Sequence, residues 1–159
     1  MRVIIILLKT SIIIVISITL NSCMITKAHQ ASKARQEFTE ENNAIPPEFG
    51  SDDKTVFICI LKGKNNYDKS LKKIVTENYK GKYTFITQEE LKAEKYKNKE
   101  IYRYLFNYFG NGSVHDYREY FVKDRLEILT YQSGAGFSFF DKVLTIYMQN
   151  LELKRLSYQ

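Results

Sequence analysis

The chain has 159 residues, 44% of them hydrophobic and 26% charged, which fits one globular domain carrying a tail. Its formal charge of +6 arises from 24 Lys and Arg against 18 Asp and Glu. The acids Asp68, Glu77, Glu90 and Glu94 interrupt the Lys-rich stretches, so these read as solvated faces and not as the clustered basic surface of a nucleic-acid binder.

Arg2 opens the chain, "VIIILL" follows, Lys9 interrupts, and "TSIIIVISITL" runs from Thr10 to Leu20. A membrane-spanning helix needs about 20 apolar residues in a row. Lys9 near the centre of such a helix would cost about 2.5–3.5 kcal/mol. Placed in a positive leading region, Lys9 costs nothing, and the segment has the anatomy of a secretory signal. An uncleaved single span is the alternative.

"Leu20-Asn21-Ser22-Cys23" carries an aliphatic residue three before the cysteine and a small residue just before it. This resembles the lipobox of bacterial lipoproteins, over residues 1–22 as signal peptide with Cys23 as its target. The resemblance implies cleavage between Ser22 and Cys23 and lipidation of Cys23. It implies a protein held in the cell envelope, with the membrane as its partner through the N-terminal lipid. Met24 follows with no acidic run, which points to the periplasmic face of the outer membrane.

Residues 23–54 are polar and hold both prolines, Pro46 and Pro47. Phe38, Ile45 and Phe49 are too few to build a core, so the segment reads as a lipidated polar tether. As a flexible coil it would span roughly 30 Å. Residues 55–159 then read as a small α+β domain. "TVFICIL" is a strand buried on both faces. Asn65 or Asn66 can cap a helix whose stripe is Tyr67, Leu71, Ile74 and Val75, and "KYTFIT" is a second, parallel strand. Thr87 and Glu90 form a capping box for a short helix on the rim.

"EIYRYLFNYF" reads as a long strand, "GNGS" as a turn and "YREYFVK" as the returning strand. "EILTY" gives a further short strand, and a helix starts near Phe137 with Ser138 and Asp141 as a capping pair. Its stripe is Phe137, Phe140, Leu144, Tyr147 and Leu151. The order β-α-β-α-β-β-α resembles the thioredoxin-like fold, which implies one mixed sheet with helices packed on it, on both faces.

No chemistry stands out. C-x-x-C is absent, and Cys59 sits inside an apolar strand, where a structural thiol is expected; a degenerate thiol protein using Cys59 is a second reading. His29 and His115 do not make a metal site with Asp116, and Ser113, His115 and Asp116 share one short loop, which no triad does. "SGAGFS" reads as a capping turn. No catalytic residue, metal or cofactor is expected. Tyr102, Arg103, Tyr104, Tyr108, Tyr117, Arg118 and Tyr120 fall in one hairpin; Tyr and Arg are enriched in interfaces. They form either a sheet core or an exposed surface for an envelope protein or a glycan. The hairpin also resembles small uncharacterised lipoproteins of the Bacteroidetes, which implies no activity.

Overall fold

The structure, a computed structural model, describes residues 25, 26, 28–110 and 118–159. Its centre is a five-stranded mixed sheet in the order β2-β1-β3-β4-β5. The strands are β1 (Phe57–Leu61), β2 (Tyr83–Thr87), β3 (Tyr104–Phe109), β4 (Glu119–Asp124) and β5 (Leu129–Gln132). Strand β1 pairs parallel with β2, Ile58 opposite Thr84, and parallel with β3, Ile58 opposite Leu105. The β3–β4 and β4–β5 pairs are antiparallel, with Phe106 opposite Val122 and Val122 opposite Tyr131. The inner strand β1 buries Phe57, Ile58, Cys59 and Ile60 almost completely, as a strand covered on both faces must.

Three α-helices pack on one face: α1 (residues 28–37), α2 (Asn65–Asn78) and α3 (Phe140–Leu156). Helix α2 turns Leu71, Ile74 and Val75 inward, and α3 turns in Phe140, Val143, Leu144, Tyr147, Met148 and Leu151. These meet Phe57, Cys59, Tyr104, Phe106, Tyr108, Tyr120 and Val122 from the sheet. The opposite face carries Ile58, Ile60, Ile86 and Leu105, covered by Tyr96 and the partly buried Leu91 and Tyr102. The expected helices on both faces are therefore corrected, since all three described α-helices share a side. The second face is small enough for two 3-10 turns, Glu90–Lys92 and Glu94–Lys97, to close it. The Thr87–Glu90 capping box forms: the Thr87 N–H donates to Glu90 Oε2 at 2.7 Å and the Glu90 N–H to Thr87 Oγ1 at 3.2 Å.

The tether reading of residues 23–54 does not survive. Ala34, Phe38, Ala44, Ile45 and Phe49 are all buried in the main core. Polar bonds hold the same segment: Asn150 Nδ2 donates to the Phe38 carbonyl at 2.8 Å and Tyr147 Oη to the Ala44 carbonyl at 2.6 Å. Lys154 pairs with Glu40 at 2.6 Å. The folded unit thus begins by α1, more than twenty residues earlier than the composition shift at Thr55. The apolar residues are few, but Phe38, Ile45 and Phe49 are all used.

Both expected helix starts are also different. Helix α2 begins after Lys64 and α3 after Phe139, neither with a side-chain cap. Phe139 itself takes the left-handed conformation, φ 59°, and the β4 bridge from Arg118 to Phe137 draws the preceding loop into the sheet.

Candidate functional site

The carboxyl ends of β1 and β3 lie side by side. The chain leaves β1 toward α2 and then β2, on one side, and leaves β3 toward β4, on the other. The parting of these two connections leaves a crevice outside the carboxyl ends of the two strands. Here the crevice has a volume of about 190 Å³ and is lined by Lys62, Lys64, Tyr67, Tyr108, Phe109 and Arg118 with Gly110.

Each side chain is placed by an element already described. Lys62 follows β1, and its Nζ lies over the rings of Tyr108 (5.3 Å) and Phe109 (5.7 Å). Arg118 is held by its backbone, which exchanges hydrogen bonds of 2.8 and 3.0 Å with Phe137. Its guanidinium lies over Tyr67 (4.9 Å) and Phe140 (5.4 Å), and Nη2 donates to Tyr67 Oη. Tyr67 sits in the first turn of α2 and meets Tyr108 at 5.9 Å between ring centres. Asp68 stands behind, its Oδ1 accepting the Lys62 N–H at 2.9 Å.

The crevice gathers three cations and no carboxylate among its described lining residues. Partial burial, followed by the charge of Lys64, holds the Lys62 ammonium below the ordinary lysine range, with Asp68 opposing. Burial, helped by Asp68, pushes the Tyr108 phenol up to about 12. The Tyr108 phenol is thus neutral at physiological pH, and cationic side chains stand beside aromatic rings, an arrangement suited to holding an anion beside an apolar wall. A larger basin of about 330 Å³ opens at the other end of the sheet, but its Asp52, Asp53, Lys80, Lys82 and Arg155 mix both signs, and Arg155 is taken up by Glu152 at 2.7 Å.

The residues expected to form an interaction surface are divided by the fold. Tyr104 and Tyr120 are core rings, 2% and 1% exposed, because the pleat of β3 and β4 turns them toward the helices. They are removed from any surface. Arg103 is a structural cation: it donates to Asp124 Oδ2 at 2.9 Å and to Glu48 Oε2 at 2.8 Å, and the bond to Asp124 holds its guanidinium firmly charged. Tyr102 packs on Tyr96 at 4.9 Å. Tyr108 and Arg118, though largely buried, do come together at the crevice.

Tyr117, Ser113, His115 and Asp116 lie outside the described residues, as do Ser22 and Cys23. Lys62, Lys64, Tyr67 and Phe109 were not singled out from sequence; the signal for them was their place just past two strand ends.

Cys59 is fully buried, and burial pushes its thiol far above the ordinary range. Among the described residues no group of three His, Cys, Asp or Glu is placed to hold a metal, and no helix is long and apolar enough to cross a membrane. No family model, curated protein or solved structure matches the chain.

Proposed function

We propose that this chain is a lipid-anchored cell-envelope protein, facing the periplasm from the outer membrane, whose folded domain is a binding module and not an enzyme. The cationic, ring-walled crevice at the carboxyl ends of β1 and β3 is the observation that carries the binding role. The apolar leader ending in Leu20-Asn21-Ser22-Cys23 carries the anchoring. Two or more acyl chains on one cysteine give stable attachment, at about 0.8 kcal/mol per buried CH2.

The thioredoxin-like order is kept as a reading of element succession alone. The succession strand, helix, strand, short turns, strand, strand, helix supports it. The additional β5 and the gathering of α1, α2 and α3 on one face depart from it. A thiol role for Cys59 is disfavoured, because a nucleophile must be a thiolate and reachable, and this sulfur is neither.

The test is metabolic labelling with a fatty acid, followed by the mass of the mature N-terminus. Label on the wild type and none on Cys23→Ala is the expected pair of results. An unmodified chain that keeps residues 1–22 would remove the anchoring and the location together.

A further inference from the structure

The fold fixes which end of the domain lies nearest an anchor at Cys23. Helix α1 runs alongside α3. Midway along it, Lys33 Nζ lies 5.8 Å from the Phe137 ring, and Phe137 is bridged to Arg118 of the crevice. Past its end, Glu40 pairs with Lys154 in the last turn of α3, and Tyr158 donates to the Pro47 carbonyl. From Lys33 through Arg35 and Phe38 to Glu40 the chain moves along α3 from the crevice end toward its last turn, so the N-terminal half of α1 points back toward the crevice, and the far end is occupied by the 40–50 segment.

Four residues, 24–27, lie between Cys23 and residue 28 of α1. Covalent geometry limits that stretch to about 17 Å even at full extension. A sulfur held at a bilayer surface by acyl chains would keep the crevice end within reach of the headgroups. The crevice end presents Lys33, Lys62 and Lys64 with Arg118 behind them. Asp68 accepts the Lys62 N–H, and Glu119 accepts from Gln132 Nε2 at 3.0 Å.

We infer that the crevice binds the phosphate of an anionic phospholipid headgroup in the membrane that anchors the chain, with Lys62 and Lys64 pairing the phosphate and the Tyr67, Tyr108 and Phe109 rings receiving the glycerol or acyl edge. Charge complementarity and the short link choose this occupant over a soluble anion. Cations near an anionic surface each strengthen association about fivefold, and the effect fades with salt over a Debye length of about 10 Å at 0.1 M. The inference rests on the lipid-anchor reading only for its choice of source.

The test uses the full-length chain in a neutral detergent, titrated with dihexanoylphosphatidylglycerol, dihexanoylphosphatidylcholine or inorganic phosphate, with amide shifts of residues 62–67 and 109–110 as readout. Saturable shifts with phosphatidylglycerol alone are expected, weakened about 25-fold in Lys62→Gln/Lys64→Gln, whose exposed positions leave the fold intact. Equal response to phosphatidylcholine, equal response to inorganic phosphate, or no response would each overturn the inference. The N-terminal mass is read on the same sample. Acylated Cys23 with a silent crevice sinks this inference alone, and headgroup binding by an unacylated chain sinks only the anchoring.

Discussion

Replacing Phe38 by Ala probes whether the residues before Thr55 belong to the fold. The Phe38 ring is fully buried. It stacks on Tyr147 at 4.3 Å and meets Phe137 at 4.9 Å and Tyr120 at 5.7 Å. Three of its neighbours are therefore aromatic rings on three different elements, which cannot collapse together into the space a phenyl group leaves. Phe→Ala in such a setting costs about 3–5 kcal/mol, transfer and cavity together. Against a total of about 5–15 kcal/mol for a domain, that is a large share. Urea denaturation of residues 24–159, followed by tyrosine fluorescence, measures it. Leu153→Ala is the control, since Leu153 is 62% exposed on α3 and surface changes stay within about 0.5 kcal/mol. A Phe38→Ala loss below 1 kcal/mol would return residues 31–50 to the status of a spacer and would dissolve the short-link argument with it.

Asp124→Ala should destabilise by about 1–3 kcal/mol in the same assay, because Asp124 is 1% exposed and its loss leaves Arg103 with Glu48 alone and the N–H groups of Leu126 and Glu127 without their acceptor; a loss under 1 kcal/mol would show that the network is dispensable. A charged thiol reagent at pH 8 should find no thiol in the folded acylated protein and one, Cys59, after unfolding, given its complete burial. Rapid labelling of the folded state would reopen thiol chemistry. Stability should hold up to pH 10 and then drop. Tyr108 titrates near 12 when folded against about 10 when unfolded, so between those values the folded chain keeps a proton the unfolded chain has lost, and each step up in pH favours unfolding. Burial raises Tyr79, Tyr104, Tyr120 and Tyr147 in the same direction. A urea midpoint unchanged between pH 9 and 11.5 would contradict this.

The strands and the two long helices after Thr55 were readable because their patterns are local. A run such as Phe57–Ile60 has no polar position to turn outward, and the α2 stripe repeats every three to four residues. The contribution of residues 31–50 was not readable, because the signal is a sparse set of side chains whose partners lie about a hundred positions away. Phe38 meets Tyr147, Ala44 receives Tyr147 Oη, and Glu40 meets Lys154. Polar composition correctly described the outer side of this segment and said nothing about its inner one.

The aromatic-basic hairpin shows the same limit at the level of single residues. In "YRYLFNYF" a cation between rings looks like a binding patch whichever way the pleat turns. The alternation does identify Tyr104, Phe106 and Tyr108 as one face, yet it cannot say which face the helices cover. That is decided by the cross-strand partners Asp124, Val122 and Tyr120 and by Phe49, whose ring lies 5.0 Å from Tyr104. Arg103 could not be assigned either, since its two carboxylates come from opposite directions, Asp124 at the end of β4 and Glu48 from the segment before β1. Arg118 differs from Arg103 only in its surroundings. Its guanidinium lies over the Tyr67 and Phe140 rings and lines the crevice, whereas that of Arg103 closes on carboxylates. The same residue type, flanking each strand of one hairpin, is thus set among carboxylates in one case and against aromatic rings in the other.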